Sequence, residues 1–256
     1  SHTLPLPFTQ ERRTVETHAP KDRLPDQPAA LVISQPNLFG VIEENLVEIA
    51  KIAHQNNALF IVSIPDPHSL GSLKPPAEYG ADIVTAEGQP FGNYPYYGGP
   101  CLGIMATRKE YVREMPGRIV GRTVDVDDKE GFVLTLQPRE QHIGRAKAKS
   151  NICSNEALCA LRAAVYLTAV GGQGLAQINE TTRRLAARLR SLVSGIPGFE
   201  IIFSAPFLNE VVLRSPLAVA ELNQRLLAYK ILGGVDASEI FGDGNHYILF
   251  SLTNRR

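Results

Sequence analysis

The sequence predicts an α/β fold: a mainly parallel sheet, then long helices and a smaller C-terminal α+β lobe. Three observations carry this reading. Residues 29–34 (AALVIS) and 58–64 (ALFIVSI) are short runs without polar alternation, the pattern of strands buried on both faces. Between them Ile42, Leu46, Ile49 and Ala53 recur at helical spacing and stop near Asn56-Asn57. Strand, helix and strand with short connections make a βαβ unit, which pairs in parallel with right-handed crossover.

The remaining elements follow in order. Residues 1–28 carry Pro5, Pro7, Pro20, Pro25 and Pro28 among polar residues, so they read as an extended arm or linker. A third strand is expected at 81–85 and a fourth at 102–106, the latter after Gly98-Gly99-Pro100. Residues 107–150 are charged and turn-rich; a helix over 108–115 and a hairpin around 125–131 are expected. Two long helices follow, one carrying Leu158, Leu161, Val165 and Ala169, the other Ile178, Leu185, Leu189 and Leu192. Gly171-Gly172 separates them. Strands near 199–203, 210–214 and 247–252, with a helix through Val219, Leu222 and Leu226, complete a small lobe. The domain reading is an arm over 1–28, a large α/β part with its linking helix over 29–170, and a small domain over 171–256.

Composition excludes several classes of function. The 256 residues are 44% apolar and 20% charged, ordinary globular usage. Lys+Arg and Asp+Glu balance at 26 each, so bulk charge points neither to nucleic acid nor to an anionic membrane. No window shows the roughly 18 consecutive apolar residues of a membrane span. The N-terminus lacks an apolar signal core, and Cys101, Cys153 and Cys159 lack metal spacing, so a reducing, cytoplasmic setting is expected. The histidines have no partners at ligand spacing, and no G-x-S-x-G, P-loop or G-x-G-x-x-G motif is present.

The element order is similar to the later part of a fold-type I pyridoxal-phosphate (PLP) transferase, an order shared by many α/β proteins. Local strings are far more specific. Residues 35–40 (QPNLFG), 70–76 (LGSLKPP), 80–84 (GADIV), 115–121 (MPGRIVG), 139–143 (REQHI) and 150–155 (SNICSN) resemble segments of glycine decarboxylase, the P-protein of the glycine cleavage system. They run in colinear order over about residues 29–254. Where that enzyme is divided in two, they resemble the first (α) subunit rather than the second (β). The resemblance also implies a long portion before the Gln-Pro-Asn segment and a final small-domain helix, where this sequence has a Pro-rich arm and ends at Arg256.

PLP chemistry needs a Schiff-base lysine, an acid for the pyridine nitrogen, and donors for the phosphate. Asp66, just past the second strand, stands where the pyridine-pairing acid usually sits, and strand C-terminal ends are where open α/β sheets place ligands. The lysine should follow strand 81–85, yet residues 86–92 read AEGQPFG, and none occurs between Lys74 and Lys109. Pro90 lies near the expected place and has no amine. Lys74, before the strand and beside Pro75-Pro76, reads as a solvated surface residue. Asp66 is read first as a cap for the helix beginning near Ser69, with Asp66 and His68 as the alternative, remnants of a cofactor site. His68 otherwise reads as an ordinary loop histidine.

Two segments are candidates for an interface. Tyr94, Tyr96 and Tyr97 lie between glycines in residues 92–103, which suits either an aromatic contact loop or a core-lining loop. Arg139, His142, Arg145, Lys147 and Lys149, followed by Ser150 and Asn151, form the local basic cluster, either a solvated face or a surface toward a partner. The resemblance implies a subunit with no cofactor of its own, completing an assembly with a PLP-bearing second (β) subunit. That hetero-oligomer would decarboxylate glycine and pass the aminomethyl group to the lipoyl H-protein; the isolated chain would be inactive, with a homodimer as an alternative to the hetero-oligomer. The rival reading is a free-standing scaffold module with the same fold and no catalysis.

Overall fold

The computed structural model describes residues 3–9, 11–16, 27–148 and 156–254. Ser150, Asn151, Lys149 and Cys153 lie outside the described residues. The large domain holds a four-stranded sheet in the order β1-β2-β3-β4, formed by β1 (Ala30–Ser34), β2 (Leu59–Ile64), β3 (Ile83–Glu87) and β4 (Gly103–Thr107). β1, β2 and β3 are parallel, with Ile33 opposite Val62 and Val62 opposite Val84. Helix α1 (Leu46–Gln55) is the crossover and buries Leu46, Ile49, Ala50, Ile52 and Ala53. Against it pack Phe60, Val62 and Ile64 of β2. Each such side chain removed from water contributes about 1.5–3 kcal/mol, so this face fixes the domain.

β4 runs antiparallel to β3. A parallel return needs a crossover of a dozen or more residues, usually a helix. Residues 88–102 contain none, and the Glu87 carboxylate accepts from both the Gln89 and Leu102 amides at 2.8 Å, folding the loop back. The helix expected over 108–115 is also absent; only a 3-10 turn, Lys109–Tyr111, forms. Arg108 is extended and turns back onto Asp82, 3.2 Å away, and onto the Ala81 carbonyl, which takes it out of a first helical turn. The expected hairpin is present as β5 (Ile119–Val124) and β6 (Glu130–Thr135). Its turn is closed by Asp125, whose side chain accepts from the amides of Asp127 and Lys129.

After the short helix α2 (Gln141–Gly144), helix α3 runs Ala157–Val193 with a break at Gly171, whose φ of 64° and ψ of 176° are non-helical. The glycine pair therefore divides two helical halves, as the sequence suggests. The buried face differs from the expected one. Leu158, Leu161 and Val165 are about 60% exposed, while Cys159 and Ala163 pack with Phe91 and Leu102. By length and composition α3 is apolar enough to cross a membrane, with 11% of its most apolar window buried. Its second half, however, buries Ala186 against Val211, Leu213 and Ile248 of the small lobe, the packing of a protein core.

The lobe is a second sheet, β7-β8-β10-β9, made of β7 (Glu200–Ile201), β8 (Glu210–Ser215), β9 (Val235–Asp236) and β10 (His246–Ser251). Helices α4 (Val219–Ala228) and α5 (Ser238–Phe241) accompany it. Antiparallel β8 and β10 supply its apolar centre.

The arm is stitched to both lobes. Ser204 donates its amide to the Glu11 carbonyl at 3.2 Å, and Arg12 pairs with Glu44. The Arg13 guanidinium is buried among four rings: Phe8 at 4.0 Å, Phe241 at 4.8 Å, Phe39 at 5.4 Å and Phe203 at 5.7 Å. Between the arm and the outer edge of β1 runs a cavity of about 1010 Å³, lined by Leu4, Leu6, Phe8, Leu31 and Ile33.

Candidate functional site

The C-terminal ends of β2 and β3 bring together a polar and aromatic cluster. Asp66 follows β2 in extended backbone and caps the 3-10 turn Pro67–Gly71, its Oδ1 accepting the His68 amide at 3.0 Å. The same oxygen lies 3.1 Å from His68 Nδ1. His68 Nε2 is 3.1 Å from the Tyr166 hydroxyl, on the first half of α3. Phe91 stands edge-on to His68 at 5.4 Å and stacks on Tyr166 at 6.0 Å. From the small lobe, Asn209 donates to Asp66 Oδ2 at 3.3 Å. Glu210 follows, accepting from the Ser251 hydroxyl at 3.2 Å. Burial is the main cause that pushes its carboxyl up to about 7; the nearby Asp66 adds to it and the Ser251 bond opposes it.

Asp66 therefore caps the turn and also belongs to the cluster, and His68 is held between it and Tyr166. Phe91, Tyr166, Asn209 and Glu210 were not singled out from the sequence. They lie far along the chain from Asp66 or in the loop beyond Pro90, where local spacing carries no signal; the Asn-Glu pair opening an apolar strand was the one available hint.

Glycines close the site tightly. A Cβ on Gly71 would meet the Leu175 carbonyl oxygen at 2.6 Å, and one on Gly92, at φ 78°, would meet Tyr166 Cβ at 2.9 Å. Pro90 lies in the turn after β3, where its carbonyl accepts from the Gly92 amide at 2.9 Å. Lys74 is exposed, ahead of Pro75. These residues do not fit a pyridoxal phosphate held as an imine. The loop after β3 offers no amine, and the Asp66 carboxylate is already engaged by His68 and Asn209.

The interface candidates separate into two groups. Tyr94, Tyr96 and Tyr97 are exposed, so they line no core of this chain; Tyr96 sits 5.9 Å below the Arg162 guanidinium and accepts from it at 3.1 Å. Arg139 departs from both readings of the basic cluster. It is 7% exposed and donates to the carbonyls of Met115 and of Gly117, the latter at 2.8 Å, pinning the base of the β5–β6 hairpin. A fork of fixed donors suits two converging carbonyls, which is why an arginine is buried there. His142 and Arg145 are exposed on and after α2. Among the described residues no group of His, Cys, Asp and Glu is arranged to hold a metal ion.

The family model described as glycine cleavage system P-protein matches residues 7–237. The chain belongs to the glycine cleavage system P-protein family. A probable glycine dehydrogenase (decarboxylating) subunit 1 of Desulfitobacterium hafniense is 43% identical over 253 residues, 99% of this chain and 56% of that relative. Its counterpart in Chlorobium limicola is 47% identical over 236 residues, 92% of this chain and 52% of the relative. The crystal structure of an inhibitor-bound glycine decarboxylase (P-protein) superposes with a TM-score of 0.87 at 39% identity, covering 99% of this chain and 56% of that one. A sphingosine-1-phosphate lyase of Burkholderia pseudomallei, 12% identical with a TM-score of 0.64 over 97% of this chain and 53% of that one, shares the fold. The fold is thus that of fold-type I PLP-dependent transferases, and the chain spans about half the length of the P-protein relatives it matches.

Proposed function

We propose that this P-protein chain serves as the subunit that holds no cofactor in a two-subunit glycine decarboxylase. Its partner would be the PLP-bearing second (β) subunit, which decarboxylates glycine and passes the aminomethyl group to the lipoyl arm of the H-protein. One observation carries the reading: the loop that follows β3 presents Pro90 and no amine, and the Asp66 carboxylate is already engaged by the His68 ring and the Asn209 amide. The names of the relatives, each a subunit 1, support the division of labour.

Within that assembly the chain's role is architectural, in the cytoplasm. The exposed Tyr94, Tyr96 and Tyr97 and the exposed apolar face of α3 at Leu158, Leu161 and Val165 form the surface offered to the sister subunit. Co-expression with a second subunit, followed by size-exclusion chromatography and glycine decarboxylation assays, tests this. Co-elution with activity absent from either chain alone is expected. A chain that stays separate from every second subunit supports the free-standing scaffold instead, and a PLP absorbance band on the isolated chain, trapped by borohydride, overturns the absence of cofactor.

A further inference from the structure

Backbone hydrogen bonds and an apolar cluster of Phe39 and Val41 with Phe203 and Val212 join the two lobes, and the Asp66 and Glu210 carboxyls lie near that junction. Ile42 donates its amide to the Pro206 carbonyl at 2.9 Å, and Leu208 donates to the Gly40 carbonyl at 3.0 Å, around an antiparallel bridge of Val41 with Phe207. Gly40 lies so close to Glu210 that a Cβ there would sit 2.8 Å from Glu210 Cβ and 2.9 Å from its backbone nitrogen. Glu210 is therefore pressed between the large domain's Gly40 loop and the body of its own lobe. Asp66, also of the large domain, faces it across the same seam with Asn209 bridging.

We propose that Glu210 is a proton-operated latch between the lobes: neutral, it holds the seam closed beside Asp66; ionised, it loosens it. From the end of β2 come Asp66 and His68, the histidine turned to Asp66 and Tyr166. From β10 comes the Ser251 hydroxyl. From α3 comes Arg190, which lines a small cavity with Glu210, Phe39, Val41 and Phe207. Arg190 donates to the Phe203 carbonyl at 3.0 Å and lies 4.2 Å over the Phe207 ring, so its guanidinium is engaged elsewhere than on Glu210. The charge that acts on it is thus that of another carboxylate, Asp66, and ionising both puts like charges on one poorly hydrated seam. A carboxyl that gives up its proton near neutrality places the change within a physiological range.

Hydrogen exchange read by NMR on the whole chain tests the latch. After correction for intrinsic base catalysis, exchange of the Ile42 and Leu208 amides should rise about tenfold between pH 6 and pH 8, while amides in the centre of β2 stay unchanged. Glu210→Gln should hold both amides at the slow rate at every pH, and Asp66→Asn should move the midpoint to lower pH by removing the neighbouring charge that helps keep the Glu210 proton on, leaving a smaller opening. Carbon-detected titration of the wild-type carboxyls gives an independent readout that needs no variant to fold. A Glu210 midpoint near the ordinary glutamate value, or seam amides indifferent to pH, overturns the proposal.

Discussion

At the scale of the residue, Gly40 and Arg139 make opposite demands. Gly40, at φ 74°, needs both a left-handed backbone and empty space, since Glu210 backbone atoms lie 2.9 Å from where a Cβ would be. Gly40→Ala should cost about 2–4 kcal/mol from backbone strain and overpacking together. With no tryptophan in the chain, urea unfolding followed by far-UV circular dichroism is the measurement. Arg139 must fill its place: replacing it with Met leaves the Met115 and Gly117 carbonyls without their buried donor. About 1–3 kcal/mol should be lost, with amide protection falling first in β5 and β6. Asp66 and His68 could be picked out from their position after a strand. Their partners could not, because His68–Tyr166 spans 98 positions and Asp66–Asn209 spans 143, and no local pattern links such residues.

At the scale of the element, strands and helices were readable because apolar runs and helical spacing reflect burial directly. Besides the missing helix over 108–115, two features were not. The direction of β4 depends on a loop without a helix, tied by the Glu87 carboxylate and by the Gly88 amide on the Leu102 carbonyl, which no periodicity encodes. The buried face of α3's first half was misread because Arg162 is the one charged residue in 157–170, so an almost uniformly apolar helix gives the moment little to choose between faces. The exposed stripe yields a sharp prediction. Leu161→Glu should change the isolated chain's stability by no more than about 0.5 kcal/mol, the usual effect at a solvated site. In the proposed assembly the same change should abolish co-elution with the second subunit. A variant that unfolds in isolation would show that this face is covered within the chain itself.

At the scale of the whole molecule, Glu210 makes stability depend on pH with a definite sign. Its folded value, about 7, lies above its ordinary one, so the folded chain binds more protons than the unfolded chain in between. The contribution is complete below the ordinary glutamate range and is lost as pH rises through about 7. The total change amounts to about 3 kcal/mol by the linkage relation, and Glu210→Gln should flatten the profile. Urea midpoints measured across pH 4.5–8 check this, and a wild-type profile as flat as the variant's would count against the assigned burial.

The aromatic seat of Arg13 also bears on how the chain reaches this state during synthesis. Two of its four rings, Phe203 and Phe241, emerge from the ribosome nearly two hundred residues or more after the arginine itself. A guanidinium made early thus has no finished seat until the lobe is nearly complete, and closing so long a loop carries an entropic cost that only late contacts repay. The α/β sheet can assemble as soon as its strands appear, whereas docking of the arm waits for Phe241. Ribosome-stalled chains ending before Phe241 should therefore hold a protected sheet beneath an arm still open to protease.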